Sequence, residues 1–445
     1  MKTILILGAG LSASSMIRYL LKHSVAENWK LRIVDRDKTR VLSLTGNHEN
    51  AEALNFDATA SEERLPEIEK ADLVISMLPA RFHVQVAEDC IAAKKNLITP
   101  SYISPEMRSL NQKALDAGIL IMNEIGVDPG IDHMSAMKII DKIKDAGDKL
   151  NSFKSFCGGL IAEEHDDNPW RYKFTWNPRN VVLAGKGGTA MFLDNHEYKY
   201  IPYNRLFDRL DRITIPGYGK FVGYPNRDSL SYMDTYGLEG IGTLYRGTLR
   251  RPNFCKGFNV FIELGMTDDS FEMANASQLS PRDFLNAFLP YIPNLSVEDK
   301  FKYFLREDRM YLYDQFEWLG IFDSDTNFGF EGATPAQLLE KLMVRKMSLS
   351  EEDKDMLVMY HEFEYEHKGK NKKIVSSMIC IGEDPIYTAM SNTVGLPIAI
   401  CAKMILNNQI NSTGVTLPIQ KEIYEPILKT LEENGIVFNE YESEL

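Results

Sequence analysis

The segment "NEIGVDPGIDHM", residues 123–134, combines three carboxylates and a histidine with two glycines and a proline. It follows the apolar run "GILIM" and precedes a stretch with helical spacing, so it lies where a parallel strand ends and ligands commonly bind. The proline, the second glycine and Asp132 fit a turn and a helix start, where the helix dipole favours a carboxylate. Asp128 remains as the side chain that could bind a ligand ammonium, whereas His133 is expected to be packed rather than reactive.

Two further segments carry candidate chemistry. In "TPSYISPEM", Ser101 and Tyr102 follow a predicted strand and are expected at the same sheet edge, although the segment also reads simply as a helix start with Pro105 at its first position. In "FCGG", Cys157 precedes two glycines that permit close approach of a ligand or of backbone, while a buried, inert thiol is the default for a strand cysteine.

The N-terminal turn "GAGLSA" has the pattern of a dinucleotide-binding loop, because it follows the apolar run "TILIL" and opens a helical segment. Gly8 permits the tight turn, Gly10 lets backbone approach a pyrophosphate, and Ala13 keeps the helix close to the sheet. Leu11 and Ser12 complete the predicted cofactor contact. The alternative is a glycine turn with a purely structural role.

The residues that would select the cofactor give a divided signal. Asp35 ends "LRIVD", where it could accept a hydrogen bond from a ribose 2′-hydroxyl and would repel a 2′-phosphate, which favours NAD. Arg36 could instead pair with such a phosphate or stack on adenine. Asp57, in "NFDATA", is a candidate adenine contact or a solvated loop carboxylate. The choice between NADP and NAD therefore stays open.

Bulk properties exclude several classes of protein. A net charge of -13 disfavours binding to nucleic acid or anionic membrane. The five cysteines are odd in number and lack metal-ligand spacing, which indicates a reducing compartment and no metal site. The apolar run before the first glycine is too short for a signal peptide, and "VGLPIAICAKMIL" is too short to span a bilayer. We expect a cytoplasmic protein, in which an anionic small-molecule substrate would need a locally basic site.

The chain length and patterning predict several domains. Alternating strand and helix patterns up to about residue 130 predict a parallel sheet with helices on both faces, and irregular strands follow. Helical spacing in "SPRDFLNAFLPYI", "TPAQLLEKLMVRKM" and "SEEDKDMLVMYHEFEYE" predicts a helical insertion. We predict a dinucleotide-binding domain over 1–130, a mixed α/β domain over 131–255 and about 372–385, a helical domain over 256–371, and terminal helices from about 386–445 that pack back on the first or second domain.

Several motifs together resemble the saccharopine dehydrogenase family, the glutamate-forming enzymes also called saccharopine reductases. They are "SYISPEM", "NEIGVDPGIDHM", "FCGGLIAEEHDDNPWRYKFTW", "YPNRDS" and "YRGTLR", and the glycine turn, "DLVISMLPARFH" and "SNTVGLPIAI" extend the match over nearly the whole chain. The resemblance implies a variant Rossmann domain, a mixed α/β substrate and dimerisation domain, a helical domain and a homodimer. It also implies NAD(P)-dependent interconversion of saccharopine with L-glutamate and 2-aminoadipate 6-semialdehyde, in lysine metabolism, generally with NADP in microbial members.

The resemblance assigns roles residue by residue. Ser101, Tyr102 and Asp128 would contact saccharopine, Cys157 would lie beside the reacting centre, and Thr175 would contact the cofactor. The remaining assigned substrate contacts are Arg227, Arg246, Gly247 and Thr248.

No histidine or lysine stands at an expected acid/base position, so we hypothesise that a bound water carries the proton, held by some of Asp128, Tyr102 and Cys157. Two alternatives stay open. One is a related imine-reducing enzyme such as carboxynorspermidine dehydrogenase, and the other is a non-catalytic NAD(P)-binding sensor.

Overall fold

A computed structural model describes residues 1–183 and 188–445 of the chain. The strands are β1 (Lys2–Leu7), β2 (Trp29–Val34), β3 (Ala51–Leu54), β4 (Leu73–Ser76), β5 (Asn96–Ile98), β6 (Leu120–Met122), β7 (Lys149–Ile161), β8 (Ala190–Asp194), β9 (Glu197–Ile201), β10 (Asp211–Ile215), β11 (Gly219–Pro225), β12 (Thr243–Arg250), β13 (Asp355–His367), β14 (Lys370–Ile381), β15 (Gly414–Thr416) and β16 (Phe438–Glu444).

The helices are α1 (Ser14–Ser24), α2 (Lys38–Thr45), α3 (Ser61–Glu69), α4 (His83–Ala93), α5 (Pro105–Ser109), α6 (Asn111–Ala117), α7 (Ile131–Asp145), α8 (Pro178–Val182), α9 (Tyr232–Thr235), α10 (Pro252–Leu264), α11 (Pro281–Phe288), α12 (Val297–Arg309), α13 (Tyr313–Leu319), α14 (Pro335–Met347), α15 (Ala389–Leu406) and α16 (Lys421–Glu433).

The chain divides into two compact units. Unit 1 comprises Met1–Leu150 and Glu364–Leu445, and unit 2 comprises Asn151–Phe363. The predicted boundaries near residues 130, 255 and 371 stay predictions, since this division into two units does not test a division into three domains.

Unit 1 contains the predicted parallel sheet. Its seven strands lie in the order β15-β6-β5-β4-β1-β2-β3, and every pair is parallel. The run from β3 to β6 follows the 3-2-1-4-5-6 order of doubly wound dinucleotide-binding folds, in which ligands bind at the carboxyl ends of the strands. Four consecutive residues of β1, from Ile4 to Leu7, are fully buried, as a strand covered on both faces requires. The predicted Rossmann architecture is confirmed.

Helix α15 packs on α1 inside unit 1. A Cβ added at Gly395 would lie 2.8 Å from the Met16 backbone nitrogen, so the missing side chain allows the two helices to approach closely. The Ser15 hydroxyl crosses the contact to the Ser391 Oγ (2.8 Å) and the Asn392 Oδ1 (2.6 Å). By length and composition α15 could span a membrane, which the short apolar run in the sequence did not predict. Because 78% of it is buried inside the structure, its apolar character is that of a core helix.

Unit 2 combines a mixed sheet with a helical cluster. Strands β10, β11, β12 and β7 are adjacent in that order, with β11 antiparallel and β7 parallel to β12. Helices α10 to α14 and the segment around Trp170 share one apolar core rich in phenylalanine. Helices α11 and α14 begin with complete capping boxes at Ser280 and Thr334, which confirms both predicted helix starts.

One predicted helix was wrong. The segment "SEEDKDMLVMYHEFEYE" contributes most of strand β13, not a helix. From Tyr360 to Tyr365 buried and partly exposed residues alternate, which is the two-residue period of a strand. The acidic residues that separate the aromatic residues also fit a helical pattern over a short window, and the sheet context decides between the two.

Candidate active site

The glycine turn after β1 has the geometry that a dinucleotide requires. Gly8 has φ +99, and an added Cβ there would meet the Met77 carbonyl at 3.2 Å, so the position needs glycine. Gly10 has an extended backbone, and an added Cβ would meet no heavy atom within 4 Å. Ala13 is fully buried beneath the turn, while Leu11 is 59% exposed. The open space over Gly10, followed by Ser12 and the start of α1, fits a pyrophosphate at a helix N-terminus.

Asp35 lies at the end of β2, but its carboxylate is engaged by the protein itself. Its Oδ2 accepts a hydrogen bond from the Ala9 amide (2.7 Å), and its Oδ1 accepts one from the Asp37 amide (2.9 Å). The Arg40 Nε donates to the Ala9 carbonyl, so the guanidinium of Arg40 lies at the glycine turn. The sequence reading missed Arg40, because no local pattern indicates that a residue so far along the chain contacts the glycine turn. Asp35 therefore braces the turn, and its presence alone does not indicate NAD.

Arg36 and Asp57 form an ion pair at 2.6 Å, and the Arg36 side chain is 73% exposed. Hydrogen bonds from the side chain and backbone of Thr59, followed by the one from Arg36, lower the pKa of Asp57 to about 2. Asp57 thus accepts a hydrogen bond from the Nη2 of Arg36, and the mostly exposed guanidinium remains accessible to a ligand phosphate. The structure brings together these two predicted cofactor residues, one after β2 and one after β3.

Tyr102 and Asp128 meet at the carboxyl edge of the unit 1 sheet. The Tyr102 Oη donates to the Asp128 Oδ1 at 2.7 Å, and the tyrosine is 48% exposed. The turn after Asp128 requires Gly130, because a Cβ there would lie 2.1 Å from the Gly126 carbonyl oxygen. The Gly130 amide donates to the Asp132 Oδ1 at 2.6 Å, and α7 begins at the next residue. The predicted turn and helix start are confirmed.

His133 is fully buried, as a packed histidine would be. Its Nε2 lies 2.8 Å from the Glu124 Oε2, and the Ile103 amide donates to the other oxygen of Glu124 at 2.9 Å. Glu124 therefore links the loop after Tyr102 to the helix after Asp128. The sequence reading did not single out this carboxylate, since only the fold brings its two partners together.

His83 is a third residue that the sequence reading missed. It begins α4, is 3% exposed, and contacts two serine hydroxyls: Ser76 Oγ lies 3.0 Å from its Nδ1, and Ser101 Oγ lies 2.9 Å from its Nε2. Burial lowers the pKa of His83 to about 4. A histidine at the end of "DLVISMLPARFH" was visible in the sequence, but its contact with Ser101 was not.

The remaining predicted residues lie in unit 2. Arg246 is buried with its guanidinium 4.0 Å from the centre of the Tyr232 ring. Thr248, opposite Cys157 in the strand register, donates from its Oγ1 to the Asn226 Oδ1 at 2.7 Å. A Cβ at Gly247 would meet the Tyr224 carbonyl at 2.6 Å, which gives this glycine a packing role in the sheet.

Cys157 is buried, and Arg227 is exposed in the loop after β11. Thr175 is also buried, and its hydroxyl has no hydrogen-bond partner among the described residues. A buried hydroxyl of this kind is one that a bound molecule can satisfy. Across residues 1–183 and 188–445, no group of three or more histidine, cysteine or acidic side chains is placed to hold a metal ion.

Comparison with known proteins gives matches over nearly the entire chain. Residues 4–122 match the family model "Saccharopine dehydrogenase NADP binding domain", and residues 126–436 match "Saccharopine dehydrogenase C-terminal domain". The chain is 36% identical over 452 residues to the mitochondrial alpha-aminoadipic semialdehyde synthase of Rattus norvegicus, covering 98% of this chain and 47% of that protein. It thus spans about half the length of the mammalian relatives it matches.

Relatives of similar length also match. The saccharopine dehydrogenase [NADP(+), L-glutamate-forming] of Saccharomyces cerevisiae is 33% identical over 447 residues, with 99% of both proteins covered. The solved apo structure of the L-Glu-forming saccharopine dehydrogenase from the same yeast superposes with a TM-score of 0.90 and 31% identity over 100% of both chains.

Proposed function

The chain belongs to the saccharopine dehydrogenase family, and we propose that it is an NADP-dependent oxidoreductase that interconverts saccharopine with L-glutamate and 2-aminoadipate 6-semialdehyde. The single observation that carries the proposal beyond family membership is the pairing of Tyr102 with Asp128 at 2.7 Å at the carboxyl edge of the parallel sheet. That edge also carries the glycine turn at Gly8 and Gly10, so substrate chemistry and cofactor binding fall on the same side of one sheet.

NADP is the proposed cofactor, because the family model matched by residues 4–122 is described as NADP binding and because the loop chemistry agrees with it. The exposed guanidinium of Arg36 suits a 2′-phosphate, which arginine binds through paired hydrogen bonds. Two backbone amides donate hydrogen bonds to the Asp35 carboxylate, which offsets part of the negative charge that would repel a 2′-phosphate. When bound, the nicotinamide accepts or supplies the hydride, and the Gly10 backbone would hold its pyrophosphate.

The residues of this chain would then bind the substrate and transfer the protons of the reaction. Saccharopine loses a hydride from carbon and a proton from nitrogen to give an imine, and water adds to the imine carbon before the carbon–nitrogen bond breaks. These steps need a group that accepts and returns protons. We propose that Asp128, oriented by the Tyr102 hydroxyl, holds the substrate amine and positions the water that carries the proton. Roles for Cys157, Thr175 and the arginines of unit 2 stay predictions from family resemblance.

The test is saccharopine-dependent reduction of NADP, followed by the absorbance of the reduced nicotinamide, with NAD assayed in parallel. Asp128→Ala should lower kcat by about two orders of magnitude, the usual contribution of a positioned acid/base group. Asp116→Ala, on the exposed face of α6, is the matched control and should leave kcat unchanged.

Near-normal turnover of Asp128→Ala would refute the proposed role of Asp128. Tight NADP binding by the wild-type protein without saccharopine turnover would instead support a cofactor-binding sensor. A higher kcat/KM with NAD than with NADP would overturn the cofactor proposal.

The homodimer and the cytoplasmic location are the finer parts of the proposal. The homodimer rests on resemblance alone, and the cytoplasmic location rests on five cysteines that are odd in number and lack metal-ligand spacing. Sedimentation equilibrium of the purified chain tests the first, since a monomer mass at micromolar concentration would contradict it.

A further inference from the structure

We propose that His83 is a positioning residue that turns the Ser101 hydroxyl into a hydrogen-bond donor for a carboxylate of the substrate. The identity of that ligand rests on the function proposed above. The hydrogen-bond chain that carries the inference does not, because it lies entirely within the protein.

The chain of contacts runs Ser76, His83, Ser101. Ser76 ends β4 and is fully buried, and Ser101 follows β5 and is partly exposed. The imidazole of His83 bridges them, with its Nδ1 3.0 Å from the Ser76 Oγ and its Nε2 2.9 Å from the Ser101 Oγ. The first of these hydroxyls is closed off from solvent, and the second lies at the sheet edge beside Tyr102.

The imidazole is neutral at physiological pH, since its burial disfavours the charged form. A neutral imidazole has one N–H donor and one acceptor nitrogen. One serine must therefore donate to the ring and the other must accept from it, so the tautomer fixes the direction of both hydrogen bonds.

Ser76 decides that direction. Within the part of the chain that the structure describes, His83 is the one hydrogen-bond partner of its hydroxyl. If the Nδ1 carried the proton, the buried Ser76 hydroxyl would have no acceptor for its own proton, and a buried unsatisfied donor is costly. Ser76 therefore donates to the Nδ1, and the Nε2–H of His83 donates to the Ser101 Oγ.

Ser101 then has its own proton to give. Its Oγ accepts from His83 and has no acceptor for its hydroxyl proton among the described residues, so that proton is available to a ligand at the sheet edge. The groups of saccharopine that accept without donating are its carboxylates. Asp128 suits an ammonium, so Ser101 and Asp128 would recognise the two opposite charges of an amino acid moiety.

The first experiment reads the tautomer directly. Protein labelled with ¹⁵N-histidine is measured by two-bond ¹H–¹⁵N correlation at neutral pH, and the His83→Gln variant assigns the signal by its loss. We expect the pattern of a neutral ring protonated on the Nε2. A ring protonated on the Nδ1, or a doubly protonated ring, would overturn the inference. This result does not depend on the substrate, so it stands even if saccharopine is not turned over.

The second experiment separates positioning from general stability. Ser101→Ala should raise KM for saccharopine about tenfold, which corresponds to about 1.4 kcal/mol, and should leave KM for NADP unchanged. His83→Leu should do the same, whereas His83→Gln, whose amide can donate to Ser101, should recover most of the affinity.

The thermal unfolding midpoint of each variant shows that it is folded. Equal KM values for the folded His83→Leu and His83→Gln variants would overturn the role of His83 as a donor. A rise in the KM for NADP that matches the rise for saccharopine would show a merely structural effect. If the wild-type protein does not turn over saccharopine, the proposed function fails. The tautomer measurement still decides the direction of the two hydrogen bonds of His83.

Discussion

Replacing Gly10 by alanine separates cofactor binding from folding. The backbone at Gly10 has φ −64 and ψ −178, an extended conformation that alanine adopts without strain. An added Cβ would meet no protein atom within 4 Å. The substitution therefore costs the fold nothing, and the lower entropy of the unfolded chain should stabilise the protein by about 0.4–1 kcal/mol.

The same methyl group would occupy the space that this turn leaves for a pyrophosphate. Loss of even one hydrogen bond between a backbone amide and a charged phosphate costs about 1.5–3 kcal/mol. At about 1.4 kcal/mol for each tenfold change, NADP should bind at least tenfold more weakly and up to about a hundredfold.

Isothermal titration with NADPH and thermal unfolding of the same preparation measure both quantities. Gly8→Ala is the contrasting variant, since φ +99 at that position strains any side chain by about 1–3 kcal/mol and should lower the unfolding midpoint. Unchanged NADPH affinity in Gly10→Ala would show that the cofactor does not pass over this residue. A large drop in the unfolding midpoint of Gly10→Ala would refute the claim that the space above Gly10 is open in the folded protein.

Two further predictions concern stability. Burial lowers the pKa of His83 from 6.5 to about 4. Between these two pH values the unfolded state binds a proton that the folded state does not, so the free energy of unfolding falls as the pH falls. Titration of His83 should lower the free energy of unfolding by about 2 kcal/mol between pH 7 and 5. Urea unfolding of the wild type and of His83→Gln at both pH values checks this, and an equal loss of stability in the two proteins would contradict it. Gly395→Ala should cost about 1–3 kcal/mol, because its Cβ would lie 2.8 Å from the Met16 nitrogen and force α15 away from α1. NADPH binding should weaken together with the stability, since α1 follows directly on the glycine turn. An unchanged unfolding midpoint would show that the two helices move apart without a free-energy cost.

Local patterns in the sequence were sufficient for most of the architecture. The run from Ile4 to Leu7, the turn at Gly8 and the helix that follows were all predicted, because hydrophobic period and turn chemistry are properties of neighbouring residues. The capped helix starts at Ser280 and Thr334 were predicted for the same reason. The strand from Asp355 to His367 was not, because its charged residues fit two periods and only pairing within the sheet selects one.

For the candidate site as well, local sequence patterns predicted some features and only the tertiary structure gave the others. The sequence by itself determined which residues follow the strands of a parallel sheet, and hence that Ser101, Tyr102 and Asp128 lie at one edge. The tertiary structure alone decided what those residues can do: Ser101 became a donor through His83, and Asp35 became a brace for the glycine turn. Hydrogen bonds between residues distant in the chain leave no periodic trace in the sequence, since they depend on how strands and helices pack.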